Sequence, residues 1–411
     1  MNLSELTSDA EAGDVEAQLQ LAELYDSGLG VPADRSRAAG WYRRAAEQGS
    51  ARGQSYLGQM YIRGIGVPRD YRQAVHWLTL AAEQDEPVAQ ANLAWCCQEG
   101  LGIERDLARA LEWYNKAAAQ GHAGARYNLG YMYANGIGTE RDEKEAVKWY
   151  SRAAEQGHIK AQLNAGMMYA AGKGTPQDYA VAARWYKEAA AKGYAKAQYN
   201  LGLLYSAGNG VEQDDDEAFK WHSRASAQGY YKAQYNLGLF YLYGLGTGRD
   251  YSKAFRLFRL AAEHGYAKAS YQIGKMYARG LGVHVNEIES VRHFQRAAEG
   301  GYDRAQYRLG RLFLDGEGVP QDRSAACRWF EQAARQGHPG AQYSLGVCYL
   351  RGVGVSPDMV RACAWLSLAA EAGGERQKVR EILEQSINRL PSTDRQEVAR
   401  LAGEWRSAYR N

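Results

Sequence analysis

A 36-residue repeat is the feature of this 411-residue sequence that most restricts its fold. Tryptophan recurs at this spacing, at Trp41, Trp77, Trp113, Trp149, Trp185, Trp221, Trp329 and Trp365. Two glycines separated by one residue, followed by an Asp or Asn, recur with the same period from Gly28, Gly30 and Asp34 to Gly352, Gly354 and Asp358. Ten copies fill residues 14–373 without an insertion. A period of this length predicts structural units that stack along the chain.

Each copy predicts two helices. In the sixth copy, Ala197, Leu201 and Leu204 lie at helical spacing and form one apolar stripe. We expect Gly208 to end this helix in the left-handed conformation, and Asp214 to cap the second helix. One such hairpin cannot bury its apolar stripes alone, so neighbouring copies must stack. The predicted fold class is therefore an all-α solenoid of ten helix-turn-helix repeats.

The ends of the array require caps. We predict an N-terminal capping half-repeat at residues 1–13, ten repeats at 14–373 and C-terminal capping helices at 374–411. Two closing helices are expected at 375–390 and 393–408, separated by Pro391, with Thr393 at the start of the last helix. We also expect the repeated tryptophans, such as Trp149, to be core residues.

The motif Ala-Lys-Ala-Gln-Tyr-Asn-Leu-Gly-x-x-Tyr-x-x-Gly-x-Gly-Val, followed by Asp, Ala, Trp and Ala-Ala, resembles the Sel-one-like repeat (SLR) family, a relative of tetratricopeptide repeats. The resemblance covers nearly the whole chain. It implies a right-handed superhelix whose first helices line the concave face, and a role as an adaptor or scaffold for other proteins. It does not imply one partner or one reaction.

Three positions of the first helix vary between copies in a way that suggests binding. One position carries a basic residue in copies five to nine, here called the basic row: Lys160, Lys196, Lys232, Lys268 and Arg304. Three residues further along the helix lies the tyrosine row: Tyr127, Tyr199, Tyr235, Tyr271 and Tyr307. The next position is the asparagine row: Asn128, Asn164, Asn200 and Asn236.

These rows predict a protein-binding site for an extended, acidic segment of a partner. Asparagine amides can both donate to and accept from a peptide backbone, and tyrosine offers apolar area with a polar tip. Exposed ion pairs contribute only about 0.2–1 kcal/mol each, so the basic row would steer the partner and the tyrosines would supply affinity. In the alternative interpretation, Tyr and Asn pack between copies and the lysines form a solvated surface.

The irregular copies are a second source of candidates. The seventh and eighth copies replace Trp by Leu257 and His293, and the seventh gains Phe240, Tyr243 and Tyr251. This predicts local repacking or, alternatively, an aromatic contact patch.

The sequence contains no motif for catalysis or for a cofactor. There is no His-Glu-x-x-His, Ser-x-x-Lys or phosphate-binding loop, so no metal site, cofactor or enzymatic activity is predicted. The five cysteines are expected to be reduced core residues. A net charge of +3 argues against nucleic acid as the partner. Without a leader peptide or membrane segment, we expect a cytoplasmic protein; the sequence leaves the oligomeric state open.

Two narrower functions remain as alternatives. One is a bacterial effector-neutralising, immunity-like protein or a secretion-associated binding protein, because the family resemblance includes such roles. The other is a hydrolase acting on a cell-wall sugar or a β-lactam. The hydrolase would need a cluster of acids in the groove, where the three rows instead place Lys, Tyr and Asn.

Overall fold

A computed structural model describes residues 3–372 and 376–409 of the chain. The outermost residues of the predicted capping segments, and residues 373–375, where the array was expected to end, lie outside this description. The described residues form helices and no strand, which confirms the all-α prediction.

The helices follow one another in pairs and divide into two compact units, Met1–Gln213 and Asp214–Asn411. The first unit contains α1 (Leu3–Glu11), α2 (Val15–Ser27), α3 (Arg35–Glu47), α4 (Ala51–Arg63), α5 (Tyr71–Ala82), α6 (Pro87–Glu99), α7 (Leu107–Ala119), α8 (Ala123–Asn135), α9 (Glu143–Glu155), α10 (Ile159–Ala171), α11 (Tyr179–Ala191) and α12 (Ala195–Ala207). The second unit contains α13 (Asp215–Ala227), α14 (Tyr231–Tyr243), α15 (Tyr251–Glu263), α16 (Ala267–Arg279), α17 (Glu287–Glu299), α18 (Asp303–Asp315), α19 (Arg323–Arg335), α20 (Pro339–Arg351), α21 (Met359–Ala372), α22 (Arg376–Ile387) and α23 (Ser392–Tyr409).

The repeated Gly and Asp residues set the helix boundaries, as the sequence predicts. Gly208 ends α12 with a left-handed φ of 67°, and its backbone N–H donates to the Leu204 carbonyl. Asp214 caps α13, where its carboxylate accepts from the Glu217 N–H at 2.9 Å. The second glycine of this pair, Gly210, is required for a different reason, the close approach of its loop to a neighbouring helix. A Cβ on Gly210 would lie 2.2 Å from the carbonyl carbon of Tyr179, so only glycine allows this loop to approach α11.

The residue that follows the repeated tryptophan position lies in the core of each hairpin. Tyr114, Phe258 and Phe330 at this following position are fully buried. The expectation that the repeated tryptophans are core residues is confirmed for Trp113, Trp185, Trp221 and Trp365, which are buried, and is wrong for Trp149, whose side chain is only partly buried at the edge of the core. The neighbouring Tyr150 faces the hairpin interior instead, since adjacent helix residues point in directions about 100° apart.

Buried glutamines connect successive repeats. Gln90 is fully buried; its amide donates to the Ala82 carbonyl at 3.2 Å and accepts from Gln120 at 2.9 Å. The equivalent amide of Gln18 donates to the Ala10 carbonyl at 3.0 Å. These contacts satisfy polar groups at the seam, where an unpaired amide would be costly.

The C-terminal helices cover the last repeat. Trp405 of α23 stacks on Trp365 of α21, with ring centroids 4.3 Å apart. The closing helix predicted at 393–408 is present as α23 and begins one residue earlier, at Ser392. Thr393 therefore lies in its first turn, where its hydroxyl donates to the adjacent carboxylate of Asp394 at 3.3 Å.

Candidate functional site

The basic row is mostly exposed. Lys160 and Lys196 of the first unit are exposed, as are Lys268 and Arg304 of the second, whereas Lys232 is partly buried. In the part of the chain that the structure describes, no carboxylate forms an ion pair with any member of this row. The equivalent Arg52 differs, because Glu16 and Glu23 pair with it at 3.5 and 3.0 Å. The row from copy five onwards therefore presents cations without internal counter-ions.

The tyrosine row lies at the seam between repeats. Tyr127 of α8 packs on Tyr150 of α9 and stacks on His158, which caps α10, with ring centroids 5.8 and 4.7 Å apart. In the second unit, Tyr307 contacts Phe330 and His338 in the same way, at 5.9 and 4.6 Å.

Tyr235 and Tyr271 also follow this arrangement, and Tyr199 is likewise partly buried. Burial raises the pKa of Tyr127, Tyr235 and Tyr271 above the ordinary phenol value. These rings therefore contribute to packing, and only part of each reaches the surface.

The asparagine row is partly buried and lies beside tyrosines of the preceding repeat. Burial raises the pKa of Tyr186 to about 12, and the neighbouring Asn200 side chain opposes that shift. Asn164 acts on Tyr150 in the same manner, and these two residues line one cavity. An asparagine amide has two donors and two acceptor lone pairs, so these side chains have capacity for a ligand. Asn128 and Asn236 are also partly buried.

The first unit also exposes a row of large apolar side chains that the sequence analysis did not identify. Tyr131, Met167 and Leu203 are 42%, 40% and 38% exposed, and each lies 36 residues after the previous one. Trp95, one period earlier, is partly buried. We call these four residues the apolar row. The signal was available in the sequence as apolar residues three positions after each asparagine.

The three kinds of residue share one face of a helix. On α10, Lys160, Asn164, Met167 and Ala171 follow one another at intervals of four, three and four residues, which places them along one side. A cavity of about 460 Å³ lies between the C-terminal parts of α8 and α10. It is lined by Ala134, Asn135, Arg141, Glu143, Tyr150, Asn164, Met167, Met168, Ala171 and Lys173. Asparagine and apolar side chains therefore border a common groove.

Residues 3–372 and 376–409 contain no group of three His, Cys, Asp or Glu side chains that could hold a metal ion. All five cysteines are free and buried, and burial raises the pKa of the Cys96 thiol to about 12, away from thiolate chemistry. Within the same residues, each helix is too short or too polar to cross a membrane.

Two of the solved structures that this chain resembles are repeat proteins with at least 33% sequence identity to it. A protective antigen present in uropathogenic Escherichia coli strains, which displays an SLR fold, is 33% identical, covers 100% of this chain and 95% of its own, and has a TM-score of 0.69. A Sel1 repeat protein from Oxalobacter formigenes is 36% identical over 75% of this chain and 90% of its own, with a TM-score of 0.65.

The immunity protein Pa5087 from Pseudomonas aeruginosa is more distant. It is 22% identical, covers 61% of this chain and 81% of its own, and its TM-score of 0.34 is too low to carry its role over to this chain. Comparison with curated proteins gives no match.

A family model, the Sel1 repeat, accounts for almost the entire array. It matches residues 15–50, 51–86, 87–122, 123–158, 159–194, 195–230, 232–266, 267–302, 303–338 and 339–374. These ten matches confirm the resemblance that the repeated motif indicates. The chain belongs to the Sel1 repeat family.

Proposed function

We propose that this protein is a non-enzymatic scaffold that binds an extended segment of a partner protein along the exposed face of α6, α8, α10 and α12. The observation that supports this most strongly is the apolar row, in which Tyr131, Met167 and Leu203 are exposed beside asparagines at the same position of α8, α10 and α12. Single exposed apolar residues are common, but their recurrence at one position of successive repeats is a candidate for an interaction surface.

The spacing suits an extended peptide. Packed helices lie roughly 8–10 Å apart, and an extended chain advances about 3.3 Å per residue. Every third residue of the ligand would therefore meet a new repeat. The asparagine amides would pair with the ligand backbone, while the apolar row would contact its side chains. This arrangement recognises chain direction and apolar spacing more than one particular side chain.

The basic row would attract acidic residues of the partner. In the first unit this role falls to Lys160 and Lys196, and in the second to Lys232, Lys268 and Arg304. Exposed ion pairs contribute about 0.2–1 kcal/mol each, and micromolar affinity requires about 8 kcal/mol. The lysines would thus increase the association rate, and the apolar row would supply most of the affinity.

The tyrosine row would have a dual role. Tyr127 and Tyr199 in the first unit, and Tyr235, Tyr271 and Tyr307 in the second, would hold the repeats at a fixed spacing while their accessible edges border the ligand. This revises the sequence-based expectation that the tyrosines supply the affinity, because much of each ring packs within the protein.

The test is affinity capture from the native cell with a variant that removes the apolar row. The triple variant Tyr131→Ser, Met167→Ser and Leu203→Ser should lose the captured partner and keep its melting temperature. The matched control is Leu29→Ser, Leu260→Ser and Ile288→Ser, three apolar residues that are also exposed but lie outside the row. The control should capture as the parent protein does. Equal capture by both variants would refute the proposed surface.

A further inference from the structure

A second cavity, in the second unit, is equivalent to the cavity between α8 and α10. It has a volume of about 290 Å³ and is lined by Leu242, Tyr243, Arg249, Tyr251, Gln272, Lys275, Met276, Arg279 and Leu281. Each of these residues lies 108 positions, three periods of 36, after a residue that lines the first cavity. Repetition of the same backbone site allows its side chains to be compared directly.

The two cavities differ in charge. In the first cavity, Arg141 forms an ion pair with Glu143, and Lys173 is the other basic residue of the lining. In the second, the equivalent of Arg141 is Arg249, and tyrosine replaces the glutamate at position 251. Two further substitutions add charge, because Lys275 stands at the position of Met167 and Arg279 at that of Ala171. The lining charge therefore rises from +1 (two cations and one acid) to +3 (three cations and no acid).

The three cations lack internal counter-ions. No carboxylate in the described residues forms an ion pair with Arg249, Lys275 or Arg279. Lys275 is partly buried, and burial together with Arg279 and Arg304 lowers the pKa of its ammonium group. A concave site with one sign of charge concentrates field lines and attracts the opposite charge.

The remaining lining is apolar and aromatic. Leu242 and Met276 are buried and form apolar wall. Tyr243 is 52% exposed at the edge, and the Tyr251 hydroxyl accepts from the Arg249 guanidinium at 3.4 Å. A ligand that fits this site carries an anionic group next to an apolar one.

We propose that this cavity binds a carboxylate side chain from an acidic protein segment, with Lys275, Arg279 and Arg249 as the pairing cations and Tyr243 against the flanking apolar residue. The volume is at the lower end of that of ligand pockets, which suits one or two residues of a peptide. A nucleic acid is less well matched, since the net charge of the chain is +3 and the cavity walls include Leu242 and Met276. The site goes beyond the proposed function because none of its lining residues belongs to the basic, tyrosine, asparagine or apolar row.

The test is a selection of short random peptides on the full-length protein. Peptides enriched in Glu and Asp next to an apolar residue are the expected result. The variant Lys275→Gln with Arg279→Gln should weaken their binding about tenfold, which corresponds to two ion pairs of moderate strength. Both side chains reach the surface, so the variant should keep the parent melting temperature.

The equivalent cavity provides the control. Arg141→Gln with Lys173→Gln removes two cations from the first unit and should leave the affinity of the selected acidic peptides unchanged. Selection of peptides without acidic residues, or acidic peptides that bind the Lys275/Arg279 variant as tightly as the parent, would overturn the proposal. A single-stranded oligonucleotide that binds the parent and loses binding in the variant would overturn it in favour of nucleic acid.

A second readout follows Lys275 itself. A bound carboxylate should raise the pKa of the Lys275 ammonium, which is lowered in the free protein, and NMR titration of this group with and without a selected peptide measures the change. An unchanged pKa at saturating peptide would also overturn the proposal. The triple serine variant of the apolar row should leave the binding of acidic peptides at this cavity unchanged. Failure of the proposed function can therefore be distinguished from failure of the cavity proposal.

Discussion

The ring of Tyr150 occupies the space that a side chain at Gly130 would need. A Cβ atom on Gly130 would lie 2.6 Å from Cδ1 of Tyr150, well inside the usual contact distance between carbon atoms. A Cβ atom on Gly166 would likewise lie 2.6 Å from Cε1 of Tyr186. The two helices of a hairpin approach closely because glycine on the first helix faces a large ring on the second.

Replacing Gly130 by alanine should therefore destabilise the protein. The Tyr150 ring is buried and has little room to move, so the added methyl group overpacks the hairpin at a cost of about 1–3 kcal/mol. Chemical denaturation of the purified protein measures this as a decrease in the free energy of unfolding.

The control for this substitution is Gly40→Ala. Gly40 is an exposed residue of α3, and no atom lies within 4 Å of the Cβ it would acquire. Alanine stabilises an exposed helix position by about 0.5–1 kcal/mol relative to glycine, so this variant should be slightly more stable. Similar losses in the two variants would show that the Gly130–Tyr150 contact does not limit the packing.

The sequence predicts the backbone of this fold better than the depth of its side chains. The positions of Gly208 and Asp214 follow from local requirements, a left-handed φ and a free helix N-terminus, that do not depend on the rest of the structure. Burial does depend on it. The size of the Trp149 side chain predicts a core residue, yet it is only partly buried and Tyr150 faces the hairpin interior.

The candidate site likewise combines features that the sequence predicts with side-chain burial that it does not predict. The period alone groups Lys160 and Lys196 into a row, and the structure places both on exposed surface. The spacing of the apolar row is visible in the sequence, but its exposure is not, because an apolar residue in an amphipathic helix ordinarily indicates the core and periodicity does not say which of two stripes faces solvent. For Gln90 the residue type predicts the opposite of what is observed, since glutamine is usually a surface residue and here is fully buried.

Substitution of Gln90 should reveal the connection between repeats. Gln90→Met keeps much of the side-chain volume, but the Ala82 carbonyl loses a donor and Gln120 loses its acceptor. Loss of a hydrogen bond to a buried polar group costs about 1–3 kcal/mol. We expect a decrease of that size in the free energy of unfolding, measured by urea titration.

A double-mutant cycle separates the hydrogen bond from the change in shape. Gln120→Met alone should cost little, because Gln120 is exposed. The double variant should be less destabilised than the sum of the two single changes, since both remove the same 2.9 Å bond. Strict additivity would mean that this bond contributes no coupling between the repeats.

Acid should destabilise the second unit through His222. Burial lowers the pKa of His222 to about 4, whereas histidine in an unfolded chain has a pKa of about 6.5. Between these values the unfolded state binds the proton and the folded state does not, so stability rises with pH and is lost as the pH falls below about 6.5. The maximum effect is about 3 kcal/mol.

The variant His222→Phe should reduce this pH dependence. Phe occupies the equivalent position in later repeats, as in Phe258, and fits a buried ring without a proton to bind. Unfolding free energies measured from pH 4 to pH 7 should show a smaller slope than in the parent. The exposed His284 provides the control, and His284→Gln should leave the slope unchanged. A parental slope in His222→Phe would exclude His222 as its source.

Variants of Tyr307 can separate the packing role of the tyrosine row from a role in binding. The ring stacks on His338 at 4.6 Å and contacts Phe330 at 5.9 Å, so Tyr307→Ala should lower the free energy of unfolding by about 2–4 kcal/mol. Tyr307→Phe keeps both ring contacts and should cost less than about 1 kcal/mol. If the hydroxyl also meets a ligand, Tyr307→Phe will weaken binding at unchanged stability, as measured by calorimetry with the captured partner. Equal stability of the alanine and phenylalanine variants would contradict the packing role, because the only difference between them is the ring at the seam.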